Sequence, residues 1–328
     1  MLRDCLVASP LDDARLPTMF STLEILLPIF ALILAGFICR RRAIFGPAAA
    51  TELNRLVVWL ALPALLFDIM AHASWQQLDQ PDFVAAFGLG CAVIFVGVLA
   101  VAMVRGRHLA DASIEAIAAS YPNTAYIGFP LCMVLFGAAS LTPATIATII
   151  IVCVLFAIAI VLIEVGLESE RRPHIIAMKV GAKLLRNPLI VAPLAGVLVA
   201  AAHVPVPASV ESFLKLVGTA ASPCALICLG VFLGEKRAVG PVPSGALALT
   251  LVKLFVQPAL TWWLAAHVFG MPRQMVHMTV LLAALPTGTG PFMLAEFYKR
   301  EPVVASRTIL FSTIGSLVTL SVLLAYMG

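Results

Sequence analysis

The sequence predicts an all-α integral membrane protein with ten transmembrane helices. Its composition is the first reason: 62% of the 328 residues are hydrophobic, 12% are charged, and the mean hydropathy is +1.05. A soluble domain of this size rarely has so little charge, so lipid is the expected solvent. The second reason is a series of apolar stretches of about 20 residues, each long enough to cross a hydrocarbon core of ~30 Å.

Ten such stretches follow one another, and most of the connections between them are short. They are residues 20–39, 49–71, 83–104, 111–136, 142–164, 184–202, 209–233, 244–268, 274–298 and 303–327. The polar residues 1–18 lack the pattern of a secretory signal and are expected to form a disordered tail. The longest connection, 167–183, separates a first half, 19–166, from a second half, 184–328, each with five spans.

An odd number of spans in each half gives the two halves opposite orientations in the membrane. Prolines and glycines also recur at matching intervals in the two halves. The matched positions are Pro28 with Pro188, Gly36 with Gly196, Pro63 with Pro223, and Pro122 with Pro286. The sequence therefore predicts a five-plus-five inverted repeat. Coincidence among 22 prolines is the alternative.

Basic residues in the loops orient the predicted bundle. Fourteen Lys and Arg residues fall in the loops that follow spans one, three, five, seven and nine, whereas Arg3, Arg15 and Arg273 fall on the other side. Because cytoplasmic loops are rich in Lys and Arg, both termini are expected to be non-cytoplasmic. The regular alternation also supports the count of ten spans.

A proline interrupts span four and span nine near the middle of each. Pro122 and Pro286 remove a backbone donor and clash with the preceding turn, so both helices should break near the bilayer centre. Broken helices at this depth form the binding sites of many transporters, and in an inverted repeat the two breaks can cross. The crossing of these two segments is the predicted functional site.

The second part of each broken helix would present the positive end of its dipole and free amides, at 124–126 and 288–290, to the crossing. Such a site favours an anion. The predicted substrate-binding residues are Pro122, Asn123, Thr124, Pro286, Thr287, Gly288, Thr289 and Gly290. The hydroxyl and amide side chains add donors, and the glycines permit close approach of the backbone. The alternative is that the breaks are packing kinks whose polar side chains only cap the backbone.

Polar residues inside the apolar spans are further candidates, because a charge in the hydrocarbon core is costly. Lys253 lies deep in span eight, with Gln257 one turn later, and could compensate the charge of a substrate carboxylate. A structural Lys bound to backbone carbonyls of a neighbouring helix is the alternative. Asp68 lies near the outer end of span two, where it is either interfacial or part of a proton or sodium site.

Three motifs resemble those of the auxin efflux carrier family. They are Pro-Asn-Thr-Ala-Tyr-Ile-Gly-Phe-Pro-Leu (122–131), Leu-Leu-Arg-Asn-Pro-Leu (184–189) and Leu-Pro-Thr-Gly-Thr-Gly-Pro-Phe-Met-Leu-Ala-Glu-Phe-Tyr (285–298), and the likeness extends over residues 19–328. The resemblance implies crossing helices four and nine, a scaffold of helices one, two, six and seven that can form a homodimer, and elevator-type transport of organic anions. It gives Pro122, Asn123 and Pro286 the substrate role.

The chain lacks the long hydrophilic central loop of the plant members and carries Thr287 where those have a polar amide. It is therefore more similar to the bacterial branch, which includes malonate carriers, and the resemblance implies location in a bacterial inner membrane. A secondary transporter of a small carboxylate, such as malonate or another dicarboxylate, is the leading prediction. The alternative is a sodium-coupled organic-anion symporter of the bile-acid type, which shares the crossing architecture.

Other functional classes find little support in the sequence. The Lys and Arg residues are scattered rather than gathered on one face, which does not favour nucleic acid as a partner. The six His residues show no metal-binding pair, and Gly288-Thr-Gly290 lacks the strand and third glycine of a dinucleotide loop, so no metal and no cofactor are expected. An enzyme is not expected either, and a receptor without transport remains as a third class.

Overall fold

The computed structural model describes residues 19–73, 79–168, 173–235 and 244–327. Within these ranges the ordered elements are helices, and no β-strand is formed. The predicted tail, 1–18, and part of the predicted connection 167–183 lie outside the described residues. The structure therefore has the all-helical class that the composition predicts.

Thirteen helices follow one another in the described part of the chain. They are α1 (Met19–Arg41), α2 (Ala49–Ala71), α3 (Pro81–Val104), α4 (Leu109–Ser120), α5 (a π turn, Thr124–Gly128, continued by Phe129–Phe136), α6 (Leu141–Leu167), α7 (Pro173–Leu184), α8 (Pro188–Ala201), α9 (Ala208–Gly234), α10 (Gly245–Val268), α11 (Arg273–Ala284), α12 (Gly290–Phe297) and α13 (Val303–Met327).

Six of these helices are long and apolar enough to cross a membrane: α2, α3, α6, α9, α10 and α13. The pair α7 and α8, bent by 73° at the break between them, gives a seventh if the pair counts as one span. The sequence count of ten is larger because it also includes α1 and two stretches that are each divided into two shorter helices. The chain is a multi-pass integral membrane protein.

Local sequence explains where several helices begin. The side chain of Asn187 accepts a 3.0 Å hydrogen bond from the amide of Leu189 and so caps α8. Pro81 and Pro188 occupy the first turns of α3 and α8, where the missing amide hydrogen is not needed. Because buried backbone groups in lipid must be paired, these starts are well satisfied without water.

Close glycine contacts join α1 to α9 and α8 to α2. A Cβ atom built on Gly36 would lie 2.2 Å from the carbonyl oxygen of Ile227, and one built on Gly196 would lie 2.6 Å from that of Phe67. Only glycine allows backbones to approach so closely, which is a common basis of helix association in membranes. The residues at the breaks of the divided stretches α4–α5 and α11–α12 are buried.

Candidate functional site

Both divided stretches break at the predicted prolines. The first stretch is helical up to Ser120 and resumes at Thr124, so Pro122 lies in the gap. The second is helical up to Ala284 and resumes at Gly290, with Pro286 in its gap. The loss of a backbone donor at each proline accounts for the position of each break.

The two breaks cross, and backbone hydrogen bonds join them. The amide of Asn123 donates to the carbonyl of Pro286 at 2.9 Å, and the amide of Gly288 donates to the carbonyl of Tyr121 at 3.0 Å. Four helix ends therefore meet at one point: the C-terminal ends of α4 and α11 and the N-terminal ends of α5 and α12. The first amides of a helix have no partner within it, so the N-terminal ends can receive an anion.

Thr287 connects this crossing to α13 and α4 by hydrogen bonds. It pairs with Pro122 in an isolated antiparallel bridge. Its amide donates to Ser312 Oγ of α13 at 3.0 Å, and its hydroxyl donates to the carbonyl of Ala118 in α4 at 2.9 Å. The hydroxyl hydrogen of Thr287 is thus used inside the protein, as is the amide hydrogen of Gly288.

A small closed cavity of about 30 Å³ adjoins the crossing. Among the predicted site residues, those that line it are Pro122, Asn123, Thr124, Thr289 and Gly290. Pro286, Thr287 and Gly288 lie at the crossing but outside the described lining. The volume suffices for roughly one or two water molecules, so a solute of several heavy atoms requires the cavity to widen.

Thr124 has an unpaired hydroxyl beside this cavity. The residue is 1% exposed, and its Oγ1 atom is buried without a hydrogen-bond partner in the structure. A buried polar atom without a partner is costly and calls for an explanation such as a ligand. The sequence predicts a free amide at Thr124, but this amide donates to the carbonyl of Pro122 at 2.8 Å.

The cavity wall opposite the crossing is apolar, and sequence reasoning did not identify its residues. Leu62 and Leu66 of α2 and Ala221 and Ala225 of α9 contribute to it. A signal was available, because these pairs flank Pro63 and Pro223, which occupy matching positions in the two halves. Two of the four helices that make the close glycine contacts, α2 and α9, thus also line the cavity.

An aromatic pair completes the wall. The rings of Tyr121 and Phe156 lie 5.9 Å apart, and both line the cavity. Gly288 and Gly290 leave room for the Tyr121 ring, because a Cβ atom on either glycine would lie 2.9 Å from it. In this conformation the two glycines thus accommodate a neighbouring ring.

Lys253 and Gln257 of α10 lie behind the crossing and do not line the described cavity. Both are 0% exposed. Lys253 Nζ donates to the carbonyl of Ala283 at 2.8 Å, and Gln257 Nε2 donates to the carbonyl of Ser120 at 3.3 Å. This geometry favours the structural alternative for Lys253 over direct contact with a substrate.

Asp68 lies in a different cavity, of about 370 Å³, which Phe129, Thr148 and Lys215 also line. One oxygen of Asp68 is 3.2 Å from Nδ1 of His72, the residue that follows the end of α2. Asp68 is therefore not brought together with the crossing, and a role in coupling stays a prediction. Among the described residues, no cluster of His, Cys, Asp or Glu has the arrangement of a metal site.

Comparison with known proteins identifies similar sequences over almost the whole chain. The profile of the family described as "Membrane transport protein" matches residues 21–324. A relative from Rhizobium meliloti (strain 1021), named "Putative malonate transporter", is 28% identical over 302 residues, covering 92% of this chain and 94% of the relative.

Two further relatives widen the comparison. One from Escherichia coli (strain K12), named "Uncharacterized transporter YfdV", is 24% identical over 303 residues, covering 90% of this chain and 94% of the relative. A rice protein (Oryza sativa subsp. japonica), named "Probable auxin efflux carrier component 5c", is 29% identical over 154 residues, covering 46% of this chain and 41% of the relative.

Proposed function

Since the chain belongs to the membrane transport protein family that includes the auxin efflux carriers, we propose that it is a secondary active transporter of a small organic anion. The protein is a membrane transporter and not an enzyme.

The observation that carries the proposal is the unpaired hydroxyl of Thr124 beside the closed cavity. Asn123, which is 6% exposed, lies next to it and offers amide donors. The N-terminal ends of α5 and α12 start at the same place and favour negative charge. Donors from a Thr, an Asn and two helix ends suit a carboxylate, so we assign the substrate carboxylate to this point.

A small carboxylate is the substrate class that we propose, with malonate or another dicarboxylate as the first compounds to test. The name of the Rhizobium meliloti relative supports this choice. The described lining of the cavity contains no Lys, Arg or His that would pair with a second carboxylate. A dicarboxylate would therefore bind with its other carboxyl group protonated, unless the cavity opens to water.

We also propose ten spans in two inverted halves, 19–166 and 184–328. The ten would be α1, α2, α3, α4 with α5, α6, α8, α9, α10, α11 with α12, and α13. Support comes from the glycine contacts of α1 with α9 and of α8 with α2. Gly36 and Gly196 each lie eight residues after a matched proline. Their contacts, Ile227 and Phe67, each lie four residues after another matched proline.

The proposed transport movement is of the elevator type. The group α1, α2, α8 and α9 would form the scaffold, joined by the glycine contacts, and the crossing would move against it. The cavity supports this division, because its wall combines the crossing with α2 and α9. The hydroxyl of Tyr298, just after α12, donates to Glu164 of α6 at 2.9 Å and accepts from Asn187 at 3.2 Å. Asn187 directly precedes the scaffold helix α8, so its hydrogen bond to Tyr298 would have to break during the movement.

Location and assembly are part of the same proposal. Arg40 and Arg41 at the end of α1 and Arg105 after α3 belong to the basic loops that would face the cytoplasm of a bacterial inner membrane, with both termini outside. Leu198 and Leu216, on α8 and α9, are 69% and 76% exposed, and such apolar surface can face lipid or a second copy. We propose a homodimer through these scaffold helices.

Uptake by proteoliposomes tests the function. Purified protein is reconstituted, and uptake of labelled malonate is measured with an inward pH gradient, with a sodium gradient and with neither. Uptake that follows the pH gradient or needs no ion supports the proposal. A strict sodium requirement would favour the bile-acid type of symporter instead, and absence of flux for malonate and a panel of other carboxylates would overturn the proposal.

The sodium-coupled alternative has a structural requirement of its own. Such a symporter needs a carboxylate or a group of free carbonyl oxygens beside the crossing. In the described lining of the cavity there is no Asp or Glu, and the carbonyls of Tyr121 and Pro286 already accept hydrogen bonds. We therefore prefer the carrier without a sodium site at the crossing.

A further inference from the structure

One helix, α10, supplies a hydrogen-bond donor to each of the two broken stretches. Lys253 and Gln257 are one turn apart, and Lys253 lies in a π turn, Val252–Val256. Neither residue has exposed surface. The acceptors are two backbone carbonyls: that of Ala283, the penultimate residue of α11, and that of Ser120, the last residue of α4.

These partners are the groups that a helix end leaves unsatisfied. The last four carbonyls of a helix lack partners within it, and together they form the negative end of the helix dipole. In an apolar interior an unpaired carbonyl is costly, because no water replaces the missing donor. An ammonium group is the stronger cap, since it adds a positive charge to the hydrogen bond.

Close packing of α3 on α10 brings Gln257 to its partner. A Cβ atom on Gly90 would lie 2.4 Å from Oγ1 of Thr261, so a larger residue would require the Thr261 side chain to move. Gln257 Nε2 then reaches both Cys91 Sγ, at 3.2 Å, and the carbonyl of Ser120. Lys253 has no carboxylate partner among the described residues, and the end of α11 is the negative group that it contacts.

We propose that Lys253 and Gln257 are positioning residues that cap the two C-terminal helix ends with hydrogen bonds and hold the two breaks at a fixed distance from each other. Four helix ends meet at the crossing, two negative and two positive. With the negative ends capped from α10, the positive ends of α5 and α12 determine the potential in the cavity on the other side. The crossing then attracts an anion, although no Lys, Arg or His lines the described cavity.

The capping part of this inference is independent of transport, whereas the effect on anion affinity rests on the proposed function. Hydrogen–deuterium exchange on the purified full-length protein tests the capping part. Lys253→Met is expected to raise exchange of amides in 281–288 by about fivefold or more, and to raise exchange in 117–124 less, since that segment is affected only through the backbone bonds of the crossing. Gln257→Leu is expected to give the opposite pattern.

Lys253→Gln and Thr319→Val complete the exchange experiment. Lys253→Gln keeps a donor, so a milder change at 281–288 is expected, and it replaces Lys253→Met if the latter does not fold. Thr319 in α13 has a buried hydroxyl that makes no hydrogen bond in the structure, so Thr319→Val removes no bond to either segment; it is the control and should change neither of them. The inference would be overturned if Lys253→Met and Gln257→Leu each changed exchange by the same amount in 281–288 and in 117–124, or changed it in neither segment.

Substrate affinity tests the electrostatic part. We measure the KM for labelled malonate in proteoliposomes with wild-type protein, Lys253→Arg, Lys253→Gln and Lys253→Met. If Lys253 acts through its positive charge, the KM of Lys253→Arg should stay within about threefold of the wild-type KM. The two neutral variants should raise the KM about tenfold or more. A wild-type KM for the neutral variant Lys253→Gln would contradict the electrostatic effect. If the wild-type protein moves no organic anion, the proposed function fails, while the exchange pattern still decides the capping.

Discussion

Gly36 lies against Ile227 so closely that a Cβ atom on the glycine would stand 2.2 Å from the isoleucine carbonyl oxygen. The contact joins α1 to α9, and Gly196 makes the corresponding contact between α8 and α2. A methyl group at either position forces two helix backbones apart. These contacts therefore set the spacing of the helices that close the cavity.

Substitution of either glycine by alanine is expected to destabilise the protein by about 1–3 kcal/mol, the usual cost of overpacking. The inverted repeat predicts similar losses for Gly36→Ala and Gly196→Ala. Gly88→Ala is the matched control, because it replaces a glycine in the interior of α3 with open space around it and should be neutral or slightly stabilising. Thermal unfolding in detergent measures the three changes, and an undiminished midpoint for both contact variants would contradict the packing argument.

Thr124→Val separates a binding role from a structural one. The hydroxyl of Thr124 has no partner, so its removal should leave the stability of the substrate-free protein unchanged or raise it. Loss of a hydrogen bond to a charged group should weaken substrate binding by about 1.5–3 kcal/mol. Binding to purified protein and thermal unfolding measure the two effects. Thr319→Val, which removes another unpaired hydroxyl away from the cavity, should preserve the affinity.

Asn123→Ala is expected to lower substrate affinity while the fold persists. The backbone amide of Asn123 makes the 2.9 Å bond to Pro286, and alanine retains that amide, so the crossing itself should survive. Loss of the side-chain donors should raise the KM for the carboxylate about tenfold, with a smaller effect on the maximal rate. Uptake kinetics in proteoliposomes provide the measurement, and wild-type kinetics would count against the assigned site.

The helix positions follow from the sequence because lipid requires apolar length. The predicted stretch 49–71 has the bounds of α2, Ala49–Ala71, and the predicted stretch 303–327 those of α13, Val303–Met327. The breaks at Pro122 and Pro286 follow from the chemistry of proline, whatever surrounds it. Local rules thus predict where the helices of this fold lie and where two of them break.

The partners at the crossing could not be predicted in the same way. Thr287 was expected to face a substrate, and its hydroxyl donates to Ala118, 169 residues earlier in the chain. For Lys253 the sequence leaves two alternatives open, a carboxylate or backbone carbonyls of a neighbouring helix, and the structure shows the carbonyl of Ala283. In a helix that is apolar on nearly every side, periodicity does not indicate which face meets which neighbour. Tertiary packing decides these contacts.

The apolar wall of the cavity predicts how a dicarboxylate binds. Leu62, Leu65 and Leu66 line the cavity, and the described lining offers a second carboxylate no cation. Burial of an unpaired carboxylate costs several kcal/mol, so the monoanion should bind far better than the dianion. At a fixed total concentration, affinity for malonate should therefore rise as the pH falls toward the second pKa of the acid, by about tenfold per pH unit above that pKa.

A monocarboxylate of similar size separates this effect from titration of the protein. Its charge does not change in the same pH range, so its affinity should stay nearly constant if the substrate, and not the protein, takes up the proton. Binding is measured in detergent, where no gradient contributes. Equal pH dependence for the two compounds would mean that a protein group titrates instead, and equal affinity for malonate at every pH would mean that the second carboxylate reaches water.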